Sequence, residues 1–207
     1  MIASVAAHGR FLVALAGGST PLPMYRALAG RPDLPWQHTR VFWGDERFVP
    51  SGDPDSNAGA AFEALLSSVP VPEEQVFPWP HLDSPEASAE AYGRTLEGEL
   101  GQDGAFDLTL LGLGSDAHTA SLFPGTGAAL QDGATLVVRP EGERVRLSLG
   151  AGLLGRSRTV AFLVQGEGKR AALEGTLAGE GELDRYPARA IGARERLVVF
   201  TDLEGIA

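Results

Sequence analysis

Short apolar segments alternate with segments of helical spacing along the 207-residue chain, and this alternation constrains the fold more than any other feature. The apolar segments lie at positions 11–16, 40–45, 106–112, 134–139, 144–149, 159–165 and 196–202. Several are apolar on both faces, which is typical of strands buried in a parallel sheet. The segments of helical spacing lie at 21–30, 56–68, 84–100 and 167–179. The alternation predicts an α/β protein with an open, mostly parallel sheet and helices on both faces.

The chain is predicted to form one domain, residues 1–207. Its length suits one sizeable domain, and it contains no internal repeat, no low-complexity run and no long linker. Residues 69–85 are rich in proline, but this segment is too short to be a domain boundary. At its end, Ser84, Pro85 and Glu86 predict the capped start of a helix.

Charge and composition exclude several classes of protein. The net charge is −10 and the isoelectric point is about 4.8, whereas nucleic-acid binding needs a basic face. The absence of cysteine excludes thiol catalysis, disulfides and thiolate metal ligands. The sequence shows no signal-peptide pattern and no apolar run near the ~18–20 residues that span a membrane. We therefore expect a cytoplasmic protein without nucleic-acid or membrane partners, which must gather its cations locally if its substrate is an anion.

The first candidate site follows the first predicted strand. Gly17, Gly18, Ser19 and Thr20 connect this strand to a helix whose first turn contains Pro21. Backbone N–H groups at such a helix start attract anions, and the two hydroxyls add further donors. The segment lacks the lysine of a Walker loop, and its glycines would equally suit a plain strand-to-helix turn. A phosphate site and a structural turn both remain open.

A charged cluster forms the second candidate site. Asp45, Glu46 and Arg47 follow a predicted strand at its carboxyl end, where open α/β sheets bind their ligands. Ser56 and Asn57 open the next predicted helix, and Asn57 could simply be its N-cap. The alternative for the charged cluster is a solvated loop.

His118 is the candidate general base. It lies in the loop after the predicted strand 106–112, and therefore at the same sheet edge as residues 17–20 and Asp45. An imidazole has a pKa of about 6.5 and can exchange protons near neutral pH. The alternative is an ordinary polar residue at the start of a helix. The other histidines, near the terminus or in predicted loops, are poorer candidates: His8, His38 and His81. Neither metalloprotease histidine spacing nor a Gly-x-Ser-x-Gly motif is present, so a metal site and a serine hydrolase are not expected.

Three cations in the last third of the chain are further candidates. Arg144 and Arg146 lie in the predicted strand 144–149. Lys169 follows a strand–glycine turn, from which it can reach a phosphate bound at neighbouring strand ends. Surface charge is the alternative for all three.

Together, these segments resemble the 6-phosphogluconolactonase family. The family pattern runs Gly-Gly-Ser-Thr-Pro, Asp-Glu-Arg, Ser-Asn, Gly-x-Gly-x-Asp-Gly-His-Thr-Ala-Ser-Leu-Phe-Pro, Arg-(Ile/Val)-(Thr/Ser)-Leu and Gly-x-x-Lys. The matching segments occur here in the same order, at 17–21, 45–47, 56–57, 112–124, 144–147 and 166–169. They span nearly the whole chain, and the central motif is highly specific.

The resemblance implies a Rossmann-like fold and an ester hydrolase that opens 6-phospho-D-glucono-1,5-lactone to 6-phospho-D-gluconate in the oxidative pentose phosphate pathway. His118 would be the general base that activates water, and Asp45 and Arg47 would contact the sugar or hold the site's geometry. No cofactor or metal is implied. The residues expected to bind the phosphate or the rest of the substrate are Gly17, Gly18, Ser19, Thr20, Asn57, Arg144 and Lys169. We expect a monomer or a weak homo-oligomer.

Three features depart from the family pattern. Ala117 replaces the glycine that precedes the histidine, which would tighten the loop or shift His118. Arg146 stands where the family has Thr or Ser, so either arginine could meet the substrate, although the alignment favours Arg144. The family's N-terminal strand and helix are shortened, since ten residues precede the first predicted strand.

Two other functions remain as alternatives. Glucosamine-6-phosphate deaminase belongs to the same superfamily, but it has Asp-Glu-Tyr at positions 45–47 and a glutamate near the histidine, where this chain has Leu122 and Phe123. A non-catalytic sugar-phosphate binder would retain residues 17–20 and Lys169 but would have no need of His118.

Overall fold

The structure is a computed structural model that describes residues 1–101, 104–179 and 181–206. Its strands are β1 (Phe11–Leu15), β2 (Thr39–Trp43), β3 (Asp45–Arg47), β4 (Leu108–Gly112), β5 (Thr135–Val138), β6 (Arg146–Leu149), β7 (Thr159–Val164) and β8 (Arg196–Thr201). Its α-helices are α1 (Ile2–His8), α2 (Leu22–Ala29), α3 (Asn57–Ala64), α4 (Pro85–Leu100), α5 (Ala151–Gly155) and α6 (Arg170–Leu177). Short 3₁₀ turns lie at Trp36–His38, Leu66–Ser68, Glu73–Gln75, Ala128–Leu130, Glu167–Lys169 and Pro187–Ala190.

The main sheet is parallel and has the strand order β2-β1-β4-β7-β8. This confirms the predicted α/β fold class. All five residues of β1 are buried, as expected for a strand that is apolar on both faces and lies inside the sheet. Because the strands are parallel, their carboxyl ends share one edge, and the loops after β1, β2, β4 and β7 meet there.

A second, antiparallel sheet with the order β3-β6-β5 was not predicted as a separate unit. The predicted strand 40–45 instead ends at Trp43, and the chain changes sheets at Gly44. Gly44 N–H donates to the Leu15 carbonyl of the main sheet, and its own carbonyl accepts from Leu149 N–H of the small sheet. Asp45 to Arg47 are therefore a strand rather than a solvated loop.

The helices lie where the sequence predicts them, with bounds that differ by a few residues. The predicted helix 56–68 divides into α3 and a 3₁₀ turn, and 167–179 divides in the same way. The Ser84 Oγ accepts a hydrogen bond from Ala87 N–H at 3.1 Å, which confirms the predicted cap of α4. Residues before β1 form the short helix α1, with no strand among the described residues there.

Buried aromatic residues join the helices to the sheet. Tyr92 on α4 accepts a hydrogen bond from Trp43 N–H through its hydroxyl, which donates to the Phe77 carbonyl. Phe42 stacks on Phe77, with ring centroids 4.8 Å apart. These contacts fix the end of β2, after which the charged cluster follows. Within the described part of the chain, every helix is too short or too polar to cross a membrane.

Candidate active site

A cavity of about 410 Å³ opens at the carboxyl edge of the main sheet. Its lining contains residues 17–20, Asp45, Arg47 and Asn57, together with His118 and Lys169. These segments are far apart in sequence, and the strand ends bring them to one place. Arg144 and Arg146 are not among the lining residues.

Tyr25 of α2 anchors Ala16, the residue that precedes the glycine-rich segment 17–20. The Tyr25 hydroxyl accepts from Ala16 N–H at 3.0 Å and donates to the Ala16 carbonyl at 2.8 Å. Gly18 has a left-handed backbone with φ of 82°, which glycine adopts without strain. Gly17 has a different role, because a Cβ there would overlap the side-chain amide of Asn57. The segment therefore lines the cavity at a fixed position, just before α2 begins.

Asp45 is the first residue of β3 and is part of a hydrogen-bonded cluster. Ser121 Oγ donates to its Oδ2 at 2.6 Å, and Asn57 Nδ2 donates to its Oδ1 at 3.3 Å. Burial raises the pKa of the Asp45 carboxyl above its usual range, although the Ser121 hydrogen bond and the nearby positive charges of Arg47 and Arg146 act in the opposite direction.

Glu46 has a structural role that could not be distinguished, from the sequence, from the roles of Asp45 and Arg47. It is 5% exposed, and its Oε1 accepts from Arg47 N–H at 2.9 Å and Asn57 N–H at 2.7 Å. Its Oε2 accepts from Ala58 N–H at 2.8 Å and Ser56 Oγ at 3.1 Å. Burial raises the pKa of Glu46, while these N–H donors lower it. The side chain binds β3 to the N-terminus of α3, where a negative charge is favourable.

Asn57 and Arg47 contact each other as a result. Arg47 NH1 donates to Asn57 Oδ1 at 2.9 Å and to the Asp55 carbonyl at 2.8 Å. The N-cap of α3 is Ser56, whose Oγ accepts from Gly59 N–H. Asn57 is thus not the helix cap that the sequence left open as an alternative. It links Arg47 to Asp45 instead.

His118 lies in a turn between β4 and the 3₁₀ segment Ala128–Leu130, and the described chain has no helix start at this position. Its Nδ1 is 2.6 Å from Asp116 Oδ1, and its ring stacks on Phe123 with centroids 4.4 Å apart. The His118 side chain is 33% exposed. Because a carboxylate accepts at Nδ1, that nitrogen carries the proton, and Nε2 is left as an acceptor. Partial burial raises the pKa of Asp116, but the positive charge that His118 carries when protonated and the hydrogen bonds from His118 outweigh this effect and lower the pKa overall.

The backbone around His118 explains two further features of the motif. A Cβ on Gly114 would overlap His118 Nδ1 and Asp116 Oδ1. Ala117, which replaces the family's glycine, is buried and keeps a left-handed backbone with φ of 69°. The loop therefore takes a conformation suited to glycine, although a residue with a Cβ occupies it.

The three remaining cations have different surroundings. Lys169 ends the 3₁₀ turn before α6 and lines the cavity. Arg144 is 57% exposed and forms an ion pair with Asp55 at 3.2 Å. The Arg146 side chain is 12% exposed and lies over the Phe123 ring.

Sequence reasoning missed Ser121, Phe123 and Gln165, which contact or line this site. Ser121 and Phe123 lie in the quoted central motif, so their position was visible but not their contacts. Gln165 carries no pattern beyond its place at the end of β7. Among the described residues, no three His, Asp or Glu side chains meet in a geometry that could hold a metal ion.

Comparison with known proteins gives consistent matches over most of the chain. A family model described as glucosamine-6-phosphate isomerases/6-phosphogluconolactonase matches residues 1–200. A 6-phosphogluconolactonase of Synechocystis sp. is 42% identical over 204 residues, covering 96% of this chain and 85% of the relative. A second, from Nostoc sp., is 39% identical and covers 94% of this chain and 83% of the relative.

Solved structures agree with this family match. The crystal structure of 6-phosphogluconolactonase from Thermotoga maritima has a TM-score of 0.87 at 30% identity, covering 97% of this chain and 89% of that one. A monomeric glucosamine-6-phosphate deaminase has a TM-score of 0.84 at 21% identity, and it covers 96% and 88% of the two chains. The second likeness concerns the fold alone.

Proposed function

The chain belongs to the glucosamine-6-phosphate isomerase/6-phosphogluconolactonase family, and on this premise we propose that it hydrolyses 6-phospho-D-glucono-1,5-lactone to 6-phospho-D-gluconate. Its curated relatives at 39–42% identity over most of its length carry the lactonase name. The chain is therefore an enzyme of the 6-phosphogluconolactonase kind, and the reaction is assigned to the oxidative pentose phosphate pathway as a proposal.

His118 is proposed as the general base, and its hydrogen bond to Asp116 is the observation that carries the proposal. With Nδ1 donating to that carboxylate, Nε2 can accept a proton from a water molecule as its oxygen bonds to C1 of the lactone. The bond between C1 and the ring oxygen then breaks, and the proton on Nε2 passes to the departing oxygen. Base catalysis of this kind contributes about 10²–10⁴-fold. A lactone is an activated ester, so no covalent intermediate is required.

Residues 17–20 and Lys169 are proposed to bind the 6-phosphate. The support is their common cavity and the N–H groups of a segment that leads into α2. Arg144 remains a candidate for the same anion, but it would have to exchange its ion pair with Asp55 for the substrate. Anchoring the phosphate orients C1, so the loss of an anchor should reduce turnover as well as affinity.

Asp45, Arg47 and Asn57 are proposed to hold and contact the sugar. Their mutual hydrogen bonds fix the Arg47 guanidinium at the cavity wall, and its remaining donors suit hydroxyl or carbonyl oxygens. The Ser121 hydrogen bond fixes Asp45 from the opposite side. This arrangement needs neither a cofactor nor a metal.

The surroundings of His118 do not support the deaminase alternative. At the positions where the deaminase pattern has a glutamate, Leu122 is fully buried and Phe123 stacks on the imidazole. The carboxylate beside the ring comes from Asp116 instead. A non-catalytic binder would not require this histidine–carboxylate pair.

The test follows acid release from fresh 6-phosphoglucono-δ-lactone after subtraction of the uncatalysed opening. We expect activity in the wild type and a loss of about 10²-fold or more in His118→Ala. His38→Ala removes an exposed histidine away from the cavity and serves as the matched control. Ammonia release from glucosamine 6-phosphate, measured in parallel, would point to the deaminase. No activity in either assay would point to a binder.

The assembly and location of the enzyme are also proposals. We propose that residues 1–207 form one domain that acts in the cytoplasm as a monomer or weak homo-oligomer. Sedimentation at several concentrations would test the oligomeric state.

A further inference from the structure

We infer that Arg146 is a positioning residue for the proposed reaction, which supports the His118 ring through Phe123 and presents a positive charge to Asp45. The inference rests on His118 being the base. Position 146 is where the family pattern has Thr or Ser, so this device belongs to this chain and is not part of the motif that identified the site.

His118 and Arg146 both contact the Phe123 ring. The His118 ring lies on the Phe123 ring with centroids 4.4 Å apart and planes 29° from parallel. On Phe123, the Arg146 guanidinium carbon lies 5.9 Å from the ring centroid, within the range of a cation–π contact. His118 lines the cavity, whereas Phe123 and Arg146 do not. Phe123 is thus a shared neighbour through which Arg146 can act on the imidazole.

The surroundings of Arg146 differ from those of a surface arginine. Its side chain is 12% exposed, and its Nε is buried without a hydrogen-bond partner among the described residues. The guanidinium forms an ion pair with Glu143. Burying a guanidinium with incomplete hydrogen bonding is costly, so its retention requires compensating contacts. Those contacts are the Phe123 face, Glu143 and the negative charge of Asp45.

The small sheet also brings Arg146 close to Asp45. In the antiparallel pairing of β3 and β6, Arg146 is directly opposite Arg47, and Ser148 is opposite Asp45. The positive charge of Arg146 counteracts the effect of burial on Asp45 and favours its carboxylate form. One side chain thus packs on Phe123 and places a positive charge near Asp45.

This arrangement predicts an effect on kcat rather than on KM. Arg146 does not line the cavity, so its removal should change substrate binding less than turnover. Without the guanidinium behind it, Phe123 can move, and the imidazole spends less time aligned with the attacking water. Small displacements of catalytic groups reduce rates by as much as about 100-fold, and we expect a loss of about 10-fold for a residue acting through another.

The experiment compares Arg146→Met, which keeps a long side chain on Phe123 without charge, with Arg146→Lys, which keeps the charge. We expect a loss of about 10-fold in kcat for Arg146→Met, little change in KM, and partial recovery in Arg146→Lys. Arg144→Met is the matched comparison, since it removes the same charge two residues away. Arg144 is a candidate phosphate ligand, so its loss should raise KM as well as lower kcat, whereas Arg146→Met should lower kcat with little change in KM.

Phe123→Leu tests the route through the ring. If Arg146 acts through Phe123, the double variant Phe123→Leu/Arg146→Met should lose little more than Phe123→Leu alone. Fully additive losses would overturn this route. A wild-type kcat in Arg146→Met, or a raised KM with unchanged kcat, would overturn the positioning role.

A spectroscopic measurement separates this inference from the proposed activity. In labelled protein, the ring resonances of His118, assigned with His118→Ala, should shift in Arg146→Met and Arg146→Lys but not in Arg144→Met. Unchanged ring resonances would overturn the inference even if the lactonase activity is present. Conversely, shifted resonances in a protein without lactonase activity would leave the packing role intact and remove the proposed function. If Arg146→Met fails to fold, Arg146→Lys and Phe123→Leu carry both measurements.

Discussion

At the scale of single residues, Gly114 in the His118 loop is required for space. A Cβ at position 114 would overlap His118 Nδ1 and Asp116 Oδ1. Since those two atoms form the hydrogen bond that sets the imidazole tautomer, the side chain that is missing at 114 determines where the ring can lie.

Gly114→Ala is therefore expected to damage catalysis more than stability. The methyl group must displace the ring or the carboxylate, and a misplaced base costs on the order of 10–100-fold in kcat. KM should change less, because the proposed phosphate anchors at residues 17–20 and Lys169 are untouched. The measurement is steady-state kinetics with the lactone, beside a thermal melt.

Gly152→Ala is the matched control for this substitution. Gly152 is exposed on α5, and a Cβ there meets nothing within 4 Å. It should behave as the wild type. If Gly114→Ala also behaves as the wild type, the His118–Asp116 pair is mobile enough to move aside and does not fix the base.

Ala117 shows how a departure from the family pattern was accommodated. The sequence suggested either a tighter loop or a shifted histidine. The loop keeps its left-handed conformation at Ala117, which costs roughly 1–2 kcal/mol for a residue with a Cβ. Its methyl group is buried, and this burial offsets part of the cost.

At the scale of secondary-structure elements, Glu46 connects the β3 strand to the α3 helix. Both carboxylate oxygens accept two hydrogen bonds each, three of the four donors being backbone N–H groups. The contact between Arg47 and Asn57 depends on this connection, because each residue donates its backbone N–H to Glu46 Oε1.

Glu46→Gln is expected to loosen this connection without changing side-chain size. The NH₂ group of glutamine cannot accept hydrogen bonds, so the donors that face it would be left unpaired. Buried unpaired groups cost about 1–3 kcal/mol in the free energy of unfolding. Activity should fall as well, since the backbone N–H groups of Arg47 and Asn57 would no longer share a carboxylate acceptor. Denaturant unfolding and lactone kinetics measure the two effects. Glu63→Gln, on the exposed face of α3, should alter neither, and an unaffected Glu46→Gln would show that Ser56 alone caps the helix.

Elements were predictable from the sequence where their hydrophobic pattern was decisive. The strands of the main sheet were found because runs such as residues 11–15 and 159–164 are apolar on both faces, and α4 because Ser84 and Pro85 mark its start. The antiparallel sheet escaped because Asp45 to Arg47 have no apolar pattern. These residues form a strand through their pairing with β6, which is a tertiary contact.

At the scale of the whole molecule, the topology accounts for how much of the candidate site could be predicted. Parallel strands align their carboxyl ends, so residues 17–20, Asp45 and His118 could be expected at one edge because each lies at the end of a predicted strand. The contacts among them could not, because Ser121, Phe123 and Arg146 act through packing between distant segments. Arg144 illustrates the same limit, since its ion pair with Asp55 joins two loops that no sequence pattern relates.

The free energy of unfolding provides the last test, because Asp45 couples the site to the stability of the whole fold. Burial raises the pKa of the Asp45 carboxyl, so the folded state binds this proton more tightly than the unfolded chain. The contribution of Asp45 to the free energy of unfolding must then fall as pH rises from the unfolded pKa of about 3.9 through the higher folded pKa. Above that pH range, the buried carboxylate lowers the free energy of unfolding by a constant amount.

Asp45→Asn removes this penalty while keeping the shape of the side chain. We expect the variant to melt above the wild type at neutral pH, and the difference to shrink as pH falls towards 4. Activity should be lost, because Asp45 is proposed to hold and contact the sugar. Asp132→Asn, at an exposed position, should leave the melting temperature unchanged. A variant less stable than the wild type at neutral pH would mean that attraction to Arg47 and Arg146 outweighs burial, and that the carboxylate stabilises the fold.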